Sequence, residues 1–167
     1  NTPLIGTGAW TVIAGTASVT SVNDPNSGVT GLTTGVNTFR WTITNGTCTP
    51  STDDITINVD ELPTAADAGL DQTICSPTAT LAANTPLIGT GTWTVIAGTG
   101  AVTSVNDPNS GVTGLTTGIN TFRWTITNGT CTPSTDDITI NVDELPTTAD
   151  AGLDQTICSP TATLAAN

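Results

Sequence analysis

In Thr38-Phe39-Arg40-Trp41-Thr42-Ile43-Thr44 apolar and polar residues alternate, so Phe39, Trp41 and Ile43 share one face of an extended segment and the threonines and Arg40 the other. Asp54-Ile55-Thr56-Ile57-Asn58-Val59-Asp60 alternates in the same way. Between them Asn45-Gly46 signals a turn, and Thr47 to Asp53 makes the connection longer than a two-residue hairpin. Trp10 with Val12, and Ala79 with Leu81, supply further inward faces. No stretch follows a 3.6-residue period, and Thr and β-branched residues dominate. The pattern predicts an all-β chain, with short strands punctuated by Gly, Pro and Asn-Asp turns, as in a two-sheet sandwich.

The pattern also recurs. Asn84-Thr85-Pro86-Leu87-Ile88-Gly89 restates Asn1-Thr2-Pro3-Leu4-Ile5-Gly6, and the copies run in step through Ala83 and Ala166, an offset of 83 residues. They differ only at Ala9/Thr92, Ala17/Gly100, Ser18/Ala101, Val36/Ile119 and Ala65/Thr148; Asn167 opens a third copy. The period exceeds the ~20–50 residues of solenoid units and suits a small domain closing its own core. Pro63 lacks a ladder donor and should end the strand before it, which places a bead boundary there. Residues 63–145 then form one complete bead, with strands expected at 66–74, 78–83, 92–97, 101–105, 110–115, 120–127 and 135–143, the seven of an immunoglobulin-like sandwich. Residues 1–62 form an incomplete bead lacking its first two strands, and 146–167 carry those two strands.

Charge narrows the partners. Fourteen acidic residues stand against Arg40 and Arg123 alone, for a net charge of -12, which disfavours nucleic acid and anionic membranes. No apolar run reaches the ~20 residues of a membrane span, and no basic-then-apolar leader is present. The chain does not begin with Met, which reads as a processed product or a segment of something longer. Charged residues are 10%, and His, Met and Tyr are missing, an unusual balance for a cytosolic domain.

Cys48, Cys75, Cys131 and Cys158 alternate along the copies, and Cys75 with Cys131 is the one pair inside the complete bead. A bridge between them is expected, worth roughly 4 kcal/mol in the chain-entropy model, with Cys48 and Cys158 pairing to an adjacent repeat or subunit. Zinc is the competing reading, weakened by the lack of His and of any CxxC pair. Disulfides imply an extracytoplasmic compartment.

Catalysis has little to stand on. Without His or Lys a Ser or Cys nucleophile has no usual base, and the neighbours Asp53 and Asp54 point to opposite faces of a strand, where they read as a solvated strand start. No catalytic residue and no cofactor is assigned, apart from candidate calcium ligands around the bead junctions: Asp60, Glu61, Asp67 and Asp71, and in the next copy Asp143, Glu144, Asp150 and Asp154. The competing reading of these carboxylates is a solvated, repulsive surface. Trp93, Trp124, Phe122, Ile126, Ile138, Ile140 and Val142 are expected in the core; a carbohydrate platform of Trp93 and Trp124 and an ice-binding threonine face are the alternatives. Asn45-Gly46-Thr47 and Asn128-Gly129-Thr130 match the N-glycosylation triplet, which the Asn-Gly turn already accounts for.

The stretches ADAGLDQTIC, GTWTVIAGTG, GLTTGINTFRWTITNGTC and STDDITINV resemble the tandem PKD-like or immunoglobulin-like repeats of giant surface proteins in gliding and biofilm-forming Bacteroidetes-type bacteria, adhesins exported by the type IX pathway among them. PKD domains proper carry a WDFGDG-type stretch where this chain has Arg123-Trp124-Thr125-Ile126-Thr127-Asn128-Gly129. The resemblance implies a structural stalk or spacer at the bacterial cell surface, outside the cell, with neighbouring identical repeats as head-to-tail partners and any surface or glycan ligand elsewhere in the full protein. A multivalent module binding a glycan, host or ice surface is the other class. Two assemblies stay open: a window of a continuous array, or a subunit whose tail strands, around Asp150 to Leu164, complete the headless bead of the next.

Overall fold

A computed structural model describes residues 2–167; Asn1, where the first copy opens, lies outside them. The described residues are all-β and hold no helix: β1 (Thr7–Ala14), β2 (Ser18–Val19), β3 (Val29–Thr30), β4 (Gly35–Thr44), β5 (Ser51–Val59), β6 (Gln72–Ile74), β7 (Thr78–Thr80), β8 (Thr90–Ala97), β9 (Ala101–Val102), β10 (Gly111–Thr113), β11 (Gly118–Thr127) and β12 (Ser134–Val142).

Two sheets close around one core within residues 63–145. The first has the order β6-β12-β11-β8 and the second β7-β10-β9. Neighbours are antiparallel except β6, which runs parallel to β12 with Gln72 opposite Ile140 and Ile74 opposite Val142. The alternation of β11 and β12 places Phe122, Trp124, Ile126, Ile138, Ile140 and Val142 inward, where they pack with Trp93, Ala68, Leu81, Val112 and Leu115. Trp93 and Trp124 face each other across β8 and β11, with ring centroids 5.0 Å apart and tilted by 44°. Gly91 is obligatory beside them, because a Cβ there would overlap the Trp124 indole. The Trp93 Nε1–H donates to Asp107 O at 3.1 Å, whereas the Trp124 Nε1–H is buried without an acceptor. Asn120, also buried, is satisfied: its amide donates to Thr116 O and Gly118 O.

Residues 2–62 build the same partial framework. β1-β4-β5 form one sheet and β2-β3 another, with Trp10 opposite Trp41 as Trp93 is opposite Trp124. No strand covers the outer edges of β5 and β3 here, where β12 carries β6 and β10 carries β7. The consequence is plain in β5 and β12, which share the sequence Ser-Thr-Asp-Asp-Ile-Thr-Ile-Asn-Val: Ile138 is 0% exposed and its counterpart Ile55 is 50% exposed.

The expected strands are present, but those expected at 66–74, 78–83, 101–105 and 110–115 are shorter, at 72–74, 78–80, 101–102 and 111–113. Residues 66–71 were expected to continue into one strand with 72–74, yet they dock on β12 through side chains instead of a ladder. Ala66 N–H donates to Ser134 Oγ at 2.9 Å, Ala68 N–H to Asp136 Oδ2 at 2.8 Å, and Thr139 N–H to Asp71 Oδ1 at 2.7 Å.

Candidate functional site: a bead junction and an open groove

The junction is built from the end of β5 and the turn between β11 and β12. Asn128-Gly129 turns the chain with Gly129 at φ +51°, and a Cβ on Gly129 would collide with the Asp60 carboxylate. Asp60 Oδ2 accepts the Thr130 N–H at 2.7 Å and the Thr130 hydroxyl at 3.1 Å. The Asn128 amide donates to Glu61 O at 2.7 Å, and the Cys131 thiol lies 3.6 Å from Asp60 O and 3.4 Å from Glu61 O. Three residues further on, Thr64 Oγ1 accepts the N–H groups of Leu87 and Ile88 at 3.0 and 2.8 Å. The connection Glu61-Leu62-Pro63 is therefore clamped on both sides by the bead that follows it.

All four cysteines are free thiols, which corrects the expected Cys75–Cys131 bridge. Cys75 directly follows Ile74, opposite Val142 at the end of β12, whereas Cys131 precedes Ser134 at its start. A nine-residue strand separates those ends by roughly 25 Å, against a Cα separation of at most about 7 Å for a disulfide. Cys48 and Cys158 are exposed, and neither is bonded.

The candidate calcium ligands do not converge: among the described residues no three acidic or cysteine side chains are placed to hold a metal. The carboxylates are engaged with nearby donors. Asp60 caps Thr130; Asp67 and Asp150 accept the Gly69 and Gly152 N–H groups; Asp71 accepts Thr139 N–H; and Asp143 accepts the Asn141 amide. Glu61, Glu144 and Asp154 are exposed. Asp53 and Asp54 do point apart, as neighbours on a strand must. Asp54 forms a two-pronged pair with Arg40 at 2.7 and 2.8 Å, repeated by Arg123 and Asp137, and these hydrogen bonds hold both carboxyls below the ordinary aspartate range. Asp136, the counterpart of Asp53 in the next copy, is the acceptor that anchors Ala68.

The second feature is the groove left open in residues 2–62. Trp10, Val19, Phe39, Ile55 and Ile57 line its apolar floor, and a polar wall of Ser51, Thr52 and Asp53 adjoins it. In residues 63–145 the equivalent space holds Ala68, Ile74, Ala79 and Leu81. The sequence reading missed Asn128, Thr130, Ser134 and Asp136 as docking groups. The signal available was that strand-end polar residues lie beside a Pro-bounded linker.

In comparisons with known proteins, no protein-family model matches this chain and no significant match to a curated protein is found.

Proposed function

We propose that the chain is a structural stalk or spacer segment of an extracellular bacterial surface filament or giant adhesin, built of PKD-like, immunoglobulin-like beads. The observation that carries this reading is the junction. Asp60 and Glu61 of one bead are held by Asn128, Thr130 and Cys131 of the next, over a linker too short to swing freely. The immunoglobulin-like assignment is supported by strand order: β7-β10-β9 and β12-β11-β8 correspond to the B-E-D and G-F-C strands of such a sandwich, with the first strand, β6, beside β12 instead of β7. A binding module would present an aromatic or concave polar site on each bead, but Trp93 and Trp124 are buried in the core, and the open groove is missing from the complete bead.

Small-angle scattering of the purified protein, wild type against Asp60→Ala, tests the reading. The wild type should scatter as an extended particle with a narrow spread of bead angles. The variant, without the two Thr130 hydrogen bonds, should scatter as a flexible pair with the same bead dimensions. Identical curves for the two proteins, or a collapsed wild type, would overturn the stalk.

A further inference from the structure

The turn that closes the bead junction carries a chemical liability that the junction itself covers. We propose that Asn128-Gly129 is a modification site: the closed junction conceals it, opening exposes it to deamidation, and deamidation keeps the junction open.

The residues that make the junction are those that make the turn reactive. Residue 129 has to be glycine, because it turns at φ +51° and a Cβ there would collide with the Asp60 carboxylate. Residue 128 needs a short side chain with a donor, because its amide reaches Glu61 O at 2.7 Å. Asn followed by Gly is also the pair in which a side-chain amide closes most readily on the next peptide nitrogen, since no Cβ shields that nitrogen. The Gly129 nitrogen attacks Asn128 Cγ, the Cγ–Nδ2 bond breaks, and Nδ2 leaves as ammonia with the proton that Gly129 gives up. Water then opens the resulting succinimide at either carbonyl, which yields aspartate or isoaspartate.

The closed junction opposes each part of that step. Asn128 Cγ has to rotate onto the Gly129 nitrogen, which breaks the bond to Glu61 O. The turn is pinned on its other side, where the Thr130 N–H and hydroxyl donate to Asp60 Oδ2 at 2.7 and 3.1 Å and the Cys131 N–H donates to Asn128 O at 3.1 Å. The Asp60 carboxylate packs against Gly129, and a negative charge there disfavours loss of the Gly129 proton.

Either product undoes the latch. Aspartate turns a carboxylate oxygen toward Glu61 O where a donor stood, acceptor against acceptor, and adds a charge next to the glycine on which Asp60 packs. Isoaspartate routes the backbone through Cβ and Cγ, one carbon longer. Thr130 then leaves its register with Asp60, and the carbonyl that accepted the Cys131 N–H becomes a free carboxylate. A junction that stays open long enough to react cannot close again in its original form, so the chain keeps a record of having opened.

This inference rests on the junction that also carries the stalk reading, and the experiment reads the two separately. Purified wild type and Asp60→Ala are aged in mildly alkaline buffer, followed by small-angle scattering, and digested with trypsin. Cleavage after Arg40 and Arg123, the only basic residues, puts Asn45-Gly46 and Asn128-Gly129 in different peptides, and fragmentation locates the amide-to-acid mass gain and the isoaspartate. Asp60→Ala, without its charge-assisted bonds to Thr130, should convert Asn128 about tenfold faster than wild type. Converted wild type should scatter as a flexible pair. Asn128→Gln, whose longer side chain closes far more slowly, should keep its initial scattering throughout the ageing. Equal conversion rates in wild type and Asp60→Ala would overturn the concealment. A converted wild type that still scatters as the fresh protein does, beside a flexible Asp60→Ala, would overturn the latch and leave the stalk standing.

Discussion

Ile55 and Ile138 occupy the same place in the same nine-residue strand sequence, so truncating each to alanine isolates the contribution of what covers it. Ile138 is sealed between the two sheets, and an Ile-to-Ala cavity there costs about 2–5 kcal/mol. Ile55 is 50% exposed and borders an open groove, so it loses about half the transfer term and leaves no closed cavity, about 1 kcal/mol. Amide hydrogen exchange reads both beads in one molecule, because β4 and β11 differ by one methylene at Val36 and Ile119 and their fragments separate by mass. With fast reclosing, exchange follows the opening equilibrium. Ile138→Ala should accelerate the slowest amides of the Ile119 fragment by roughly 30- to 4,000-fold, and Ile55→Ala those of the Val36 fragment by less than roughly tenfold. Equal accelerations would refute the reasoning, since they would mean that covering the strand contributes nothing to holding it.

The glycines give a second contrast. Gly91→Ala should lower the thermal midpoint of its bead steeply, because the added methyl overlaps the buried Trp124 ring, and Gly100→Ala should lower it less: its methyl meets Leu115 Cδ2 at 2.7 Å, Phe122 Cζ at 2.9 Å and Val112 Cγ1 at 3.0 Å, contacts relieved by side-chain shifts that cost about 1–3 kcal/mol. For pH, the Arg40–Asp54 and Arg123–Asp137 pairs depress the aspartates, so their contribution is complete above the ordinary value of 3.8 and is lost as pH falls through the lower folded value. Acid titration of the thermal midpoint should show a small decline beginning near pH 4, absent in the double variant Asp54→Asn, Asp137→Asn; an unchanged decline would exclude these pairs as its source.

Alternation made the inward faces legible. Phe122, Trp124 and Ile126 on β11, and Ile138, Ile140 and Val142 on β12, are buried because a strand's side chains must alternate and the apolar set must leave water. Burial itself was not legible, and β5 and β12 show why: one sequence is half exposed in one bead and buried in the other, so the deciding groups lie far along the chain, in residues 63–83. The cysteines failed for a related reason. Pairing Cys75 with Cys131 assumed that residues in one bead are near one another, but β6 runs parallel to β12, and that direction sends Cys75 to the end of the bead remote from Cys131. Strand direction leaves no mark on an alternating pattern, since either direction presents the same faces. Once the direction is known, the separation of the two thiols acquires a physical sense: each lies at one end of its bead, beside residues that continue into or arrive from a neighbour. The spacing that looked like a staple within a bead is better suited to joining one bead to the next.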